Sequence, residues 1–490
     1  MEERLDRIGR QIDRDLDRHI ASIQAVIRQP SMSTTGGGGT GIREMAETLQ
    51  AAFAALGCQE SEVVETSGNP IVFGHYDAGA PKTLIIYFMY DTEAVLPEEE
   101  WISPPMEGNL VEVPPFGRCI VGRGAINTKG PMQAFLNTVQ AIQVAGEKVP
   151  INLKFVAEGE EELGSGSLAG FIQANVDRLK ADDLFFPMPT QQSTGRTAIS
   201  LGSKRGVIFE LECSGALWGR GPSRYAIHSG QGAIVDNPAW RLIEALNCLA
   251  TDNGNRVLVE GFYDDVLAPD EEQEELLDRL AAIWDEAEFK ERAGAASFID
   301  GLTGRDALKR LMFEPILGIR GIYAGDTRVG DVTTSKAIVP HRAVCKMNVA
   351  LVPNQNKADL AAKIRAHLDR HGYGDVEMRL RPGTTSEPGS WGRVSVNDEI
   401  VQALIRTYAH FGIEPEIWPR SAGGWPGHLF QKYLGTSFIS GGVGHGGRAH
   451  SPNEYLVVEG HDKVRGLRDM EKSFARLLFE YAAPNAEARP

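Results

Sequence analysis

The sequence predicts an α/β architecture interrupted by a smaller α+β insert, and three observations lead there. The continuous apolar run Leu84-Ile85-Ile86-Tyr87-Phe88-Met89-Tyr90 reads as a strand buried on both faces, as in a parallel sheet. A second apolar run, Ile151 to Val156, follows a helix-like stretch over 132–144, so strand, helix and strand alternate. From Val207 to Cys213 the pattern changes to alternation, and 343–349 repeats it, as in an antiparallel sheet with one exposed face.

The remaining elements fall into place around these. Leu5, Ile8, Ile12, Leu16, Ile20, Ile23 and Ile27 recur at helical spacing between charges and predict an amphipathic helix over 1–30. A Ser/Thr/Gly loop over 31–41 precedes a second helix at about 42–56. Inside the insert, 238–251 and 271–287 read as helices. After about residue 385 the first pattern returns, in 400–411 and 436–439. At 490 residues the chain exceeds one ordinary core. The economical division makes 1–205 and 385–490 two pieces of one domain, with 206–384 inserted.

Hydrophobic residues at 42% and charged residues at 24% match ordinary globular proteins. The formal net charge of -16 argues against nucleic acid or an anionic membrane as a partner. The five cysteines (Cys58, Cys119, Cys213, Cys248, Cys345) are scattered and never form CxxC, which argues against a disulfide framework or a zinc knuckle. The N-terminus stays charged, and the apolar runs fall short of the ~20 residues a membrane helix needs. The expectation is a cytoplasmic protein acting on a small molecule.

Four short segments stand out. Met89-Tyr90-Asp91-Thr92 ends a buried strand, where open α/β sheets place ligands, and Trp101 with Pro104-Pro105 follows. Gly122-Arg123-Gly124-Ala125-Ile126-Asn127-Thr128-Lys129-Gly130-Pro131 is a Gly-rich turn feeding a helix, without the Walker pattern. Glu158-Gly159-Glu160-Glu161-Glu162-Leu163-Gly164-Ser165 again follows a strand. Arg448-Ala449-His450-Ser451-Pro452-Asn453-Glu454 follows a Gly-rich loop containing His445. Singly, each has a plainer reading: an acidic cluster is usually a solvated face, and a lone histidine usually a surface or core residue.

In this order and spacing the four segments resemble the carnosinase branch of the aminoacylase, carboxypeptidase G and succinyl-diaminopimelate desuccinylase family of metallopeptidases. Ile227-His228-Ser229-Gly230 is similar to that family's lid motif. The resemblance spans nearly the whole chain. It implies a mixed-sheet, zinc-peptidase-like catalytic domain with an inserted α+β lid and dimerisation domain. It also implies a homodimer, because a lid histidine of this kind serves a partner's site.

The resemblance also implies two zincs sharing a bridging aspartate, and here the residues depart from it. The histidine of the HxD motif falls on Met89 and the bridging aspartate on Asn127. The stretch where a later aspartate is expected reads Phe185-Phe186-Pro187-Met188-Pro189-Thr190. A thioether and a carboxamide are poor zinc donors. Glu162 and His450 remain, both assigned to one zinc, so the expectation is no cofactor or a single divalent metal, zinc or manganese. Glu161 falls on the general base and His228 on the oxyanion-stabilising lid histidine. Asp91 is expected to face the site without its usual partner. Asp91, Glu161 and Glu162 crowded together should leave at least one carboxyl protonated at neutral pH.

The substrate-reading residues depart as well. An arginine is expected just before a Leu-Val-Pro-Asn segment, and Ala350 stands there, ahead of Leu351-Val352-Pro353-Asn354. Lys129, Lys204, Arg205, Arg342 and Arg420 are the candidate anion anchors. Trp425, in Gly423-Gly424-Trp425-Pro426, suggests a flatter or bulkier substrate. Three readings stay open: metal-free chemistry on a small amide or amino-acid-like molecule with Glu161, Asp91, Asn127 and His228; single-metal amide hydrolysis; and a non-catalytic binding descendant. Within the first, hydrolysis, lyase, isomerase and acyl-transfer chemistry are not separated.

Overall fold

The computed structural model describes residues 1–34, 39–326, 336–380, 392–461 and 463–483. The chain divides into two compact units: residues 1–202, 392–418 and 425–490 in the first, 203–391 and 419–424 in the second. The short segment 419–424, expected with the first unit, groups with the insert.

The first unit is built on a six-stranded sheet. Its order is Glu60–Val64, Ile71–Tyr76, Asn152–Glu158, Thr83–Met89, Asp183–Pro187, Ser437–Gly441. The first two strands join antiparallel and the last four run parallel, so the sheet is mixed. Asn152–Glu158 and Thr83–Met89 are buried at every position after the first. Strands covered on both faces need continuous apolar sequence, which is how these two are recognised. The pair Glu60–Val64 and Ile71–Tyr76 is not anticipated from sequence. Glu60, Ser61 and Glu62 hide the strand signal at an edge.

Helix Lys129–Val144 packs against helices Glu2–Arg28 and Leu467–Ala482 and against the central strands. Ile8, Ile12, Leu16, Ile20, Ile23 and Ile27 supply the buried stripe of Glu2–Arg28. Helix Lys129–Val144 is buried nearly all round and so begins three residues before its apolar pattern suggests. A smaller four-stranded sheet runs Gly446–Gly447, Tyr455–Val457, Arg118–Val121, Asn109–Glu112. It carries the His450 loop alongside the Gly-rich turn. No helix among the described residues is long and apolar enough to cross a membrane. All five cysteines are free thiols.

The second unit contains a four-stranded antiparallel sheet in the order Ile316–Ala324, Arg342–Leu351, Arg205–Ser214, Glu377–Leu380. The two alternating segments expected of an antiparallel sheet are therefore direct neighbours, with Cys345 opposite Leu211. Helices Pro238–Leu249 and Lys357–Arg370 pack together, and the first lies against the two central strands. Leu242, Leu249, Phe209, Met347 and Ile364 belong to their common core. The single helix expected over 271–287 is instead two, Glu271–Ile283 and Glu286–Ala293. Asp285 starts the second by accepting the Glu288 amide on its side chain.

Candidate active site

The parallel strands Thr83–Met89 and Asn152–Glu158 end in register, Met89 opposite Glu158. Whatever follows either strand therefore emerges at one edge, the carboxyl end of the sheet. Asp91 follows the first strand by two residues. Glu161 and Glu162 follow the second, in the single helical turn Glu161–Leu163. Asp91 is fully buried and accepts the amides of Glu161 (3.2 Å) and Glu162 (3.1 Å), one on each carboxylate oxygen, and the Ser33 hydroxyl at 2.7 Å. Burial pushes its carboxyl up to about 7; Ser33 and the two amides oppose the rise and the Glu162 charge adds to it. Asp91 thus braces the turn that presents Glu161 and Glu162 and does not itself face an open site. The motif histidine is absent at Met89, and two backbone amides and a hydroxyl occupy the carboxylate instead.

A second brace joins the Gly-rich turn to the last motif. Glu454, fully buried, accepts the amides of Ile126 (3.0 Å) and Asn127 (2.8 Å) on one oxygen and pairs with Arg123 at 3.1 Å through the other. Burial holds its carboxyl above the usual range, against the pull of those amides and of Arg123. Gly130 closes the turn: a Cβ there would lie 2.0 Å from the Ala125 carbonyl oxygen. In the His450 loop three non-glycine residues, Arg448, His450 and Asn453, hold positive φ. Such strain is held only where surrounding bonds impose it, and it concentrates at functional sites. Here Asn453 accepts the Ile102 amide at 2.6 Å.

These braces bring Asn127, Glu162 and His450 together. The Asn127 side-chain amide donates to Glu162 Oε1 at 2.8 Å and lies 2.8 Å from His450 Nε2; Glu162 and His450 are 3.1 Å apart. The Glu162 carboxylate raises the His450 imidazole above its ordinary value, more than burial lowers it. The structure adds a residue that the sequence reading missed. Glu93 joins Glu162 and His450, with one donor atom from each within 4.8 Å of the others. Its signal was available: an acid two residues after Asp91, at the strand end.

Beneath this edge Glu158 is buried and accepts the hydroxyls of Tyr87 and Ser165, while its second oxygen has no partner among the described residues. Burial drives its carboxyl far above the usual range. Trp425 stacks on Tyr87 with ring centroids 5.4 Å apart, and on Phe186 at 5.1 Å. The residue expected to read a flat substrate is therefore fixed in an aromatic wall of the first unit.

Two candidate anion anchors are placed differently from expectation. Lys129 is fully buried, and its ammonium donates to the carbonyls of Val26 (3.1 Å) and Gln29 (2.6 Å). Burial lowers it to about 7. It ties the Gly-rich turn to the end of the first helix. Arg420 is also buried, donating to the Met312 carbonyl at 3.4 Å and lying over the Phe313 ring. Arg205 begins a strand of the second unit; its side chain lies outside the described residues. His228, in the same unit, is exposed, and its Nδ1 accepts the Gly230 amide at 3.2 Å. In the neutral ring that leaves the proton on Nε2, a donor.

The family model for peptidase family M20/M25/M40 matches residues 87–465, across every one of these segments. The chain belongs to this family. Its relatives include the Cys-Gly metallodipeptidase dug1 of Schizosaccharomyces pombe, 26% identical over 94% of this chain and 96% of that protein. An M20 family metallo-carboxypeptidase from Sulfolobus solfataricus has 30% identity, a TM-score of 0.80, and coverage of 95% of this chain and 99% of its own. The structure of the dipeptidase Dug1p from Saccharomyces cerevisiae, at 21% identity and TM-score 0.83 over 99% of this chain and 100% of its own, shares the fold.

A metal centre implied by this family can be tested against the donors present. Glu93, Glu162 and His450 offer two carboxylates and an imidazole, which suits one divalent cation with a position left open. Among the described residues no second group of this kind adjoins it. Met89 is 3% exposed and offers only a thioether, Asn127 presents an amide nitrogen, and 185–190 contains no acid or imidazole. These three donors fit one ion.

Proposed function

We propose that this protein hydrolyses an amide bond in a small peptide-like substrate, using one divalent cation held by Glu93, Glu162 and His450. The convergence of those three side chains, beside a neutral Asn127, carries the reading. The activities named for the relatives, a metallodipeptidase and a metallo-carboxypeptidase, support the substrate class. A cation there supplies Lewis acidity to a carbonyl or to water. Glu161, adjacent to Glu162 on the braced turn, takes a proton from the attacking water and returns it to the leaving amine. His228 donates from Nε2 to the developing oxyanion. This role makes the working protein a homodimer, and mixing His228→Ala with Glu161→Gln subunits should restore activity to the mixture.

One observation favours a second reading, metal-free proton-transfer chemistry. The Asn127 amide already satisfies Glu162 and His450 together, with no cation required. The two readings separate in a hydrolysis assay over a dipeptide panel. Glu161→Gln should lower kcat about 10³-fold with little change in KM. Glu93→Gln should cost a similar factor and also lose bound metal. Full activity in Glu93→Gln, with no response to a chelator, would replace the first reading by the second; full activity in Glu161→Gln would refute both.

A further inference from the structure

The second unit carries a half-open cavity of about 400 Å³. Small-molecule sites have volumes of roughly 300–1,000 Å³ and pair apolar, aromatic walls with a few fixed polar groups. One wall here is aromatic. Trp284, Phe289 and Phe298 pack on one another with ring centroids 5.6–5.9 Å apart. Tyr263, Ile299, Leu302, Leu311, Ile316 and Leu317 line much of the remainder, with Asn255 and Ser297 as further polar groups. All three rings are half-buried, with Lys290 over Phe298 and Arg292 over Phe289. An apolar ligand body would cover the rest.

The polar groups of the cavity are unequal. Arg310 is well supplied: it donates to Asp300 at 2.6 Å and to the Asn255 carbonyl at 2.7 Å, and pairs with Glu314 at 3.3 Å. Lys204 is different. It is 5% exposed, and among the described residues its ammonium makes one hydrogen bond, to the Glu314 carbonyl at 2.6 Å. An ammonium carries three donors. Burial, with the nearby Arg420 charge adding to it and the Glu314 charge opposing it, lowers this ammonium to about 8. Lys204 is therefore a buried cation with no carboxylate bonded to it among the described residues, at the edge of an apolar void. Such an arrangement costs free energy unless something anionic completes it.

We propose that this cavity binds a free apolar monocarboxylate, with the carboxylate on the Lys204 ammonium and the body against Trp284, Phe289 and Phe298. An apolar cavity of about 150 Å³ holds one benzene, so this one accommodates a fused bicycle or a chain of about ten carbons. The assignment rests on the second unit alone; Ala350, where a substrate-reading arginine was expected, also lines this cavity.

Calorimetric titration of the full-length protein tests it, with indole-3-propionate and its uncharged amide as probes and thermal unfolding as the check on folding. The acid should bind at least about tenfold more tightly than the amide. Lys204→Met should remove that preference while leaving amide binding intact. Leu311→Trp, which fills the void, should weaken both probes by about tenfold or more. Equal affinity for acid and amide in the unsubstituted protein, an acid preference that survives Lys204→Met, or unchanged binding in Leu311→Trp would each overturn the proposal, as would the absence of any binding at about millimolar acid. Should Lys204→Met not fold, the comparison of acid with amide and the Leu311→Trp variant still decide it.

Discussion

Two regions of this molecule bury charge in opposite ways. At the carboxyl edge of the six-stranded sheet every buried acid is braced. Asp91 holds two amides and a hydroxyl, Glu454 holds two amides and a guanidinium, and Glu158 holds two hydroxyls. In the cavity of the second unit, Lys204 holds a single carbonyl. The contrast separates two uses of a buried polar group. Many fixed partners make it a positioning device, because its orientation is over-determined. One partner beside an open apolar space leaves its bonding capacity for something that arrives.

The largest effect should come from breaking a brace. Glu454→Gln keeps an acceptor for the Ile126 and Asn127 amides but leaves the Arg123 guanidinium buried without its closest carboxylate. Loss of one partner from a buried pair costs about 3–5 kcal/mol, readable by urea unfolding. A change below about 1 kcal/mol would show that Arg123 is satisfied by Glu99 alone.

Lys204→Met should act in the opposite direction. The folded Lys204 titrates at about 8, below its unfolded value near 10.4, so the unfolded chain binds more protons between those limits. Wild-type stability therefore rises as pH rises through that window, and the full penalty is present below it. The substitution should stabilise the protein at pH 7 by up to about 3 kcal/mol, with the gain gone near pH 10.5. A destabilised Lys204→Met variant at pH 7 would mean that the Glu314 bond outweighs the burial.

A smaller and more pointed effect comes from Asn127→Asp. In chelator, a second carboxylate beside Glu162 should cost about 2 kcal/mol by like-charge repulsion. Added zinc should reverse the loss and raise Tm above that of the unsubstituted protein, because an anionic donor has been restored. An Asn127→Asp variant whose Tm ignores both chelator and zinc would contradict the placement of Asn127 at the metal edge.

Much of the fold was legible in the sequence because buried parallel strands and amphipathic helices write their burial directly into composition. Leu84 to Tyr90, the Ile8 to Ile27 stripe and the paired alternation around Val207 and Val344 all reappear as the elements expected. Edge strands such as Glu60–Val64 were not legible, since half-exposed positions carry no apolar signal. At the site, order and spacing brought Asn127, Glu162 and His450 together correctly. Charge type alone misled for Lys129, whose ammonium is consumed by the carbonyls of Val26 and Gln29. Sequence marks a lysine as available, but only tertiary contacts show what has already taken its donors. Glu93 escaped for the converse reason: an exposed-looking acid in a loop becomes a ligand candidate only when the chain returns His450 to it.

The central claim is that the active edge holds one cation and has no donors for a second. Metal content by elemental analysis of protein grown with excess zinc, paired with anomalous scattering from crystals, tests it most directly. The account predicts at most one ion per chain, seated among Glu93, Glu162 and His450 and lost in Glu93→Gln. Two well-occupied ions per chain, one of them lodged between Met89 and Asn127, would contradict it.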